Sequence, residues 1–116
     1  TTTIRNNIVN VSGTGIRIGI LYTADAGTDT VYIQNNTVSG VGATIGIMVD
    51  AVESGDLTAV LQNNIAINSA TDFKIDGAGG VGTVVTTGSS NNLSSDMTAF
   101  TLGTGAKWGH DSKTSR

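Results

Sequence analysis

Proline and cysteine are both missing from this chain of 116 residues, and histidine occurs once, at His110. Without cysteine there are no disulfides and no thiolate metal sites, so stability has to come from packing. One histidine, in a polar tail beside Lys107 and Trp108, makes neither a His-rich metal centre nor a Ser-His-Asp triad. Aromatic residues are 4% of the chain and charged residues 13%, far from the charge-rich composition of a disordered segment. The six basic residues, Arg5, Arg17, Lys74, Lys107, Lys113 and Arg116, are scattered, and the net charge is −3, so nucleic acid is not an expected partner. No run of about 18 apolar residues is available to cross a bilayer as a helix, and Thr1–Arg5 lacks a signal-peptide hydrophobic region. A membrane is not an expected partner either.

What is abundant points the other way. Sixteen glycines stand among many Thr, Ser, Asn, Val and Ile residues, a mixture that favours strands joined by glycine and asparagine turns. The size allows a single domain with one core.

The organising feature is a pair of asparagines at Asn6-Asn7, Asn35-Asn36, Asn63-Asn64 and Asn91-Asn92, with spacings of 29, 28 and 28 residues. An apolar residue, Ile4, Ile33 or Leu61, stands three positions before the second Asn of the first three pairs. Nine positions after that Asn an alternating run begins, at Ile16-Arg17-Ile18, Ile45-Gly46-Ile47 and Phe73-Lys74-Ile75. Alternation with period two means strands, and a unit of about 28 residues cannot bury its apolar side alone. Stacked units can, with each strand pairing its equivalents in the next coil. The spacing therefore predicts an all-β, right-handed parallel β-helix of about four coils of 28–29 residues over 1–102, the hand following the usual preference of parallel crossovers. Residues 103–116 read as a polar cap or tail. Ile4, Ile16, Ile18, Ile33, Ile45, Ile47, Leu61, Phe73 and Ile75 are expected inside, with Ile18, Ile47 and Ile75 as stacked neighbours. Asn7, Asn36, Asn64 and Asn92 are expected to combine a left-handed turn with a hydrogen-bonded amide ladder.

In segments such as Ile33-Gln34-Asn35-Asn36-Thr37-Val38 and Gly46-Ile47-Met48-Val49 the chain resembles the parallel β-helix repeat family of the pectin-lyase-like superfamily, over roughly residues 3 to 102. Ser90-Asn91-Asn92-Leu93-Ser94-Ser95-Asp96 is similar to a late coil of secreted, environmental bacterial members. The resemblance implies an extracellular or cell-surface location. It also implies, as one alternative, a polysaccharide lyase or glycoside hydrolase, although no catalytic residue of the family is carried over. Phe100 and Leu102 fall one position out of phase, so a distorted or capping turn is expected there.

Counting back from the following Asn places Asp25 and Glu53 at one phase, with Asp29 and Asp56 close by, so these four carboxylates form the best acidic cluster, read as solvated surface acids or as a weak calcium site; no other cofactor is expected. Arg17 and Lys74 share another phase, with Asp76 beside it, and are read as flanking an outward groove for an anionic sugar. The literal G-x-G-x-x-G of Gly77–Gly82 leads into Thr83-Val84-Val85 rather than a helix and has no dinucleotide-binding context. The leading expectation is a non-catalytic structural or carbohydrate-binding solenoid. The chain begins inside what looks like the first repeat, which suggests a longer natural polypeptide or a clipped coding region, and the exposed edges of the first coil suggest a homo-oligomer joined there.

Overall fold

The computed structural model describes residues 1–42, 44–77 and 82–108. The strands are β1 (Thr2–Arg5), β2 (Ile8–Asn10), β3 (Arg17–Gln34), β4 (Thr37–Ser39), β5 (Thr44–Gln62), β6 (Ile65–Ile67), β7 (Thr71–Gly77), β8 (Thr83–Val85), β9 (Leu93–Ser94) and β10 (Lys107–Trp108). A short 3₁₀ turn, Thr98–Thr101, falls where the repeat was expected to distort. All strand pairings are parallel. One sheet runs β1-β3-β5-β7 with β8 also on β5, and the other runs β2-β4-β6-β9-β10. The result is a parallel β-solenoid of about three turns. Its last pass is shortened, because Lys107 pairs with Leu93 only fourteen residues earlier.

At about 3.3 Å per residue a straight 19-residue strand would reach roughly 63 Å. That exceeds the 46 Å longest dimension of the molecule, so β5, and β3 beside it, must turn a corner. A register shift between Ala24 and Ala26 marks the corner: Asp25 lies opposite both Val52 and Glu53, and Glu53 takes φ 52°. The long strands thus build two faces. The first joins their N-terminal halves to β7, the second joins their C-terminal halves to β1 and β8, and the β2-to-β10 sheet makes the third.

Side chains inside stack coil on coil. Ile20, Ile47 and Phe73 form one column, and Tyr22, Val49 and Ile75 the next. Val31 on Ala59, and Ile33 on Leu61, continue the core past the corner. Val38 and Ala66 supply it from the third face, and Ala99 and Leu102 pack against it from the last coil. Each fully buried aliphatic side chain here stabilises the fold by about 1.5–3 kcal/mol relative to exposure.

Two register expectations need correction. Ile18, Ile47 and Ile75 are not stacked: Ile18 pairs with Ile45, and Ile75 with Val49. Ile16 does not face inward but lies in the β2–β3 connection, 82% exposed. The cause is a connection that loses two residues per coil. Thirteen residues separate Asn7 from Ile20, eleven separate Asn36 from Ile47, and nine separate Asn64 from Phe73. A two-residue change leaves every side chain on its own face, so the alternation survives while the partners change. Of the other expected inward residues, Ile33, Ile47, Leu61 and Phe73 are buried and Ile4 and Ile75 pack on the core, whereas Ile18 and Ile45 are only half-buried and do not join the core cluster.

The asparagine pairs divide their labour. The first members, Asn6, Asn35, Asn63 and Asn91, carry the left-handed bend at φ 60°, 56°, 57° and 57°. The second members carry the ladder. Asn7 Nδ2 donates to Asn36 Oδ1 at 2.9 Å, Asn36 Nδ2 to Asn64 Oδ1 at 3.0 Å, and Asn64 Nδ2 to Asn92 Oδ1 at 3.0 Å. Each accepting Oδ1 also takes the backbone N–H of the Asn before it, at 3.0 Å. The second Nδ2 proton of Asn36, Asn64 and Asn92 goes to the carbonyls of Ile4, Ile33 and Leu61. In the shortened last pass Lys107 N bonds Asn92 O, so Gly105 (φ 72°) and Ala106 take the positions of the pair. Ala106 has no amide, and the ladder stops.

Candidate functional site

The four acids expected to form a cation site are spread out by the corner. Asp25 lies opposite Val52 and Glu53 at the register shift, and Thr28, not Asp29, pairs with Asp56. Asp29 pairs with Leu57 on the inward row and accepts hydrogen bonds from the Tyr22 hydroxyl and from Thr30 N at 2.7 Å. Those bonds, Tyr22 first, hold the Asp29 carboxyl below its ordinary range, and the same bond raises the Tyr22 hydroxyl above 10.0. Thr2 Oγ1 lies 3.4 Å from the Tyr22 hydroxyl, so polar groups meet at this corner of the first coil. Asp56 accepts from the Thr83 hydroxyl of the next coil. Among the described residues no three His, Cys, Asp or Glu side chains converge on a point where a metal ion would sit.

The groove read between Arg17 and Lys74 is also altered by the two-residue shift. Arg17 pairs with Thr44, and its Nη1 bonds Gly15 O at 3.0 Å, tying down its own connection. Lys74 pairs with Met48, four residues further along the same strand, which is about 13 Å away. What the shift does bring together is Asp50 and Asp76, partners on adjacent strands, with Thr23 next in line and Lys74 Nζ 3.6 Å from Asp76 Oδ2. Asp50 Oδ1 is buried and has no hydrogen-bond partner. Correct alignment of the long strands was needed to see this pair, and the unequal connections hid it in the sequence.

A second group escaped sequence reasoning altogether. Asp72 is fully buried and accepts from Ser69 N (3.0 Å), Ser95 N (2.6 Å), Ser95 Oγ (2.6 Å) and Asp96 N (3.1 Å). Asp96 in turn accepts from Asp72 N (2.8 Å) and from Thr98 N and Oγ1. Burial pushes the Asp96 pKa up, but the hydrogen bonds from Thr98 and Asp72 outweigh it and leave the carboxyl below its usual value. These carboxylates lock the third coil to the last one. Their 24-residue spacing matches no repeat phase, and the local S-x-x-D pattern at Ser69–Asp72 was the only signal in the sequence.

Comparison with protein-family models, with curated proteins and with solved structures finds no match for the chain. The site has to be read from its own geometry.

No cleft opens among the described residues, and the sheet faces are the extended surfaces. The second face offers the most continuous one. Its outward rows are Thr28, Thr30, Tyr32 and Gln34 on β3, and Asp56, Thr58, Val60 and Gln62 on β5, aligned pair by pair. Thr3 and Arg5 continue the rows on one side, and Thr83 and Val85 on the other. Gln34 Nε2 donates to Gln62 Oε1 at 2.9 Å, and Gln62 Nε2 to Gly88 O at 3.0 Å, which fixes the amide row. His110 and Lys113 of the tail, and residues 78–81 of the glycine-rich segment, lie outside the described residues.

Proposed function

We propose that this chain is a non-catalytic binding solenoid, derived from the pectin-lyase-like group of parallel β-helix proteins and exported from the cell as part of a longer polypeptide, which holds an extended polysaccharide on a flat sheet face. The observation that carries the reading is the second face itself: hydroxyls, amides and one aromatic ring in aligned rows, with no cleft and with Asp29, Asp56, Asp72 and Asp96 committed to bonds within the fold. Catalysis on a glycosidic bond needs carboxylates whose environment tunes them as acid and base on either side of the bond. Affinity electrophoresis through gels containing soluble glycans, paired with assays for reducing ends and unsaturated products, tests the reading. Retardation without product is the expected result, and no retardation by any glycan would reject it.

One observation favours the enzymatic alternative. Asp50 and Asp76 are partners on adjacent strands of one sheet, Asp50 Oδ1 buried and without a hydrogen-bond partner, with the Lys74 ammonium paired to Asp76. Product formation that Asp50→Asn abolishes would move the chain into the lyase or hydrolase class.

A further inference from the structure

Asp56 and the Thr83 hydroxyl bond each other at one margin of the second face, whereas, among the described residues, the hydroxyls in its middle are not engaged. Tyr32 lies between the Thr30–Thr58 pair and the Gln34–Gln62 pair, each row two residues away along the strands, about 6.6 Å. Its ring is 36% exposed and stands on the pleat rather than in the core. Among the described residues the hydroxyls of Thr30 and Thr58 and the Oε1 of Gln34 hydrogen-bond to nothing in the molecule, although their side chains are half-buried and confined by neighbours above and below. These five side chains carry no formal charge.

Resting on the carbohydrate-binding reading above, we propose that this patch is the binding site and that its ligand is a neutral glycan. An uncharged polyol matches the surface in two ways. The Tyr32 ring offers a flat apolar surface to the C–H face of a sugar ring, in the manner by which aromatic side chains combine an apolar body with polar surroundings. On one side the threonine hydroxyls, each both donor and acceptor, meet sugar hydroxyls; on the other the glutamine row presents an amide acceptor already fixed in direction by its ladder bond. Because strand pairing holds all five groups on a rigid sheet, little side-chain freedom is lost on binding. Charge around the patch is balanced rather than anion-seeking: Arg5 pairs with Gln34 on one side, and Asp56 stands two residues before Thr58 on the other.

Affinity electrophoresis of the full chain in gels containing a mixed-linkage β-glucan, a xylan, a mannan or polygalacturonate tests the proposal. At least one neutral glycan should retard the protein, and polygalacturonate should not. Tyr32→Ala should weaken that retardation at least tenfold, Tyr32→Phe should preserve it, and Lys74→Ala on the first face should leave it unchanged. Thr30→Val with Thr58→Val, which keeps strand propensity and shape, should weaken it without lowering the melting temperature, so the proposal remains testable if Tyr32→Ala fails to fold. Binding to a neutral glycan that survives both the Tyr32→Ala and the double threonine variant would overturn the site. Binding to polygalacturonate alone would overturn the ligand class while leaving the carbohydrate reading intact, and no binding to any of the four would reject both.

Discussion

Asn64 and Asn7 are the same residue at the same phase of the repeat, yet their removal should differ several-fold in cost. Asn64 is fully buried; its Oδ1 receives two bonds from Asn36, and its Nδ2 gives one each to Ile33 O and Asn92 Oδ1. Truncation to alanine strands partners on both neighbouring coils, and buried groups left without a partner cost about 1–3 kcal/mol each, partly relieved by relaxation. Asn64→Ala should therefore lose roughly 3 kcal/mol, whereas Asn7→Ala, at an exposed end of the ladder, should lose less than about 1 kcal/mol. Equal midpoint shifts for the two in denaturant melts would contradict the ladder as a stabilising device. Acid should act through the carboxylates that bind backbone N–H groups. Asp96 has a folded pKa below its ordinary value, so it favours the folded state at pH above the unfolded value of about 4, and that contribution is lost as pH falls through the folded value. Melting temperature should stay level from pH 7 to about 5 and fall below about 4. Asp96→Asn should flatten the acid limb, and an acid limb parallel to the parent's would show that other groups carry it.

At the level of strands, the sequence made the third face and the asparagine corner legible because Ile33-Gln34-Asn35-Asn36-Thr37 and Leu61-Gln62-Asn63-Asn64-Ile65 align without a gap, and β2, β4 and β6 pair at spacings of 29 and 28. It made the first face legible only as an alternation. Two-residue differences between connections are invisible to period-two reasoning, so Arg17 was aligned with Lys74, and the Asp50–Asp76 pair was missed. The corner within β3 and β5 leaves no mark on the alternation, and Gly27 and Gly55, which look like turn residues, both stay paired in the sheet. Glycine has a different task earlier in the same strands. A Cβ on Gly46 would stand 2.5 Å from the Asp72 carbonyl oxygen and 3.1 Å from Ala66 Cβ, contacts between backbone and a packed methyl that cannot swing aside. Gly46 is thus one place where the first and third faces approach closely. Gly46→Ala should cost about 1–3 kcal/mol by overpacking despite alanine's lower backbone entropy cost. A variant as stable as the parent in chemical melts would mean that the two sheets separate there without penalty.

For the molecule as a whole, the topology dictates how folding must proceed. Outside the shortened last pass strand partners lie 26 to 29 residues apart, and no coil buries its apolar side until a second coil is laid on it. The separation of 28 in a chain of 116 gives a ratio of about 0.24, at or beyond the slow end of the contact orders found for small domains, about 0.16–0.22. Loop closure must be completed before the ladder amides and the Ile47 column contribute, so the barrier is entropic and belongs to the pairing of β3 with β5, the longest register in the fold. Refolding should accordingly take milliseconds or longer when followed by far-ultraviolet circular dichroism after rapid dilution from denaturant. The chain has no proline, which removes the usual source of slow parallel phases through cis–trans isomerisation. Refolding amplitude and rate should therefore be the same whether the protein has been unfolded for a second or for an hour. A sub-millisecond main phase would place the barrier in local structure rather than in coil-on-coil pairing, and a phase that grows with time spent unfolded would show a slow step that this topology does not contain.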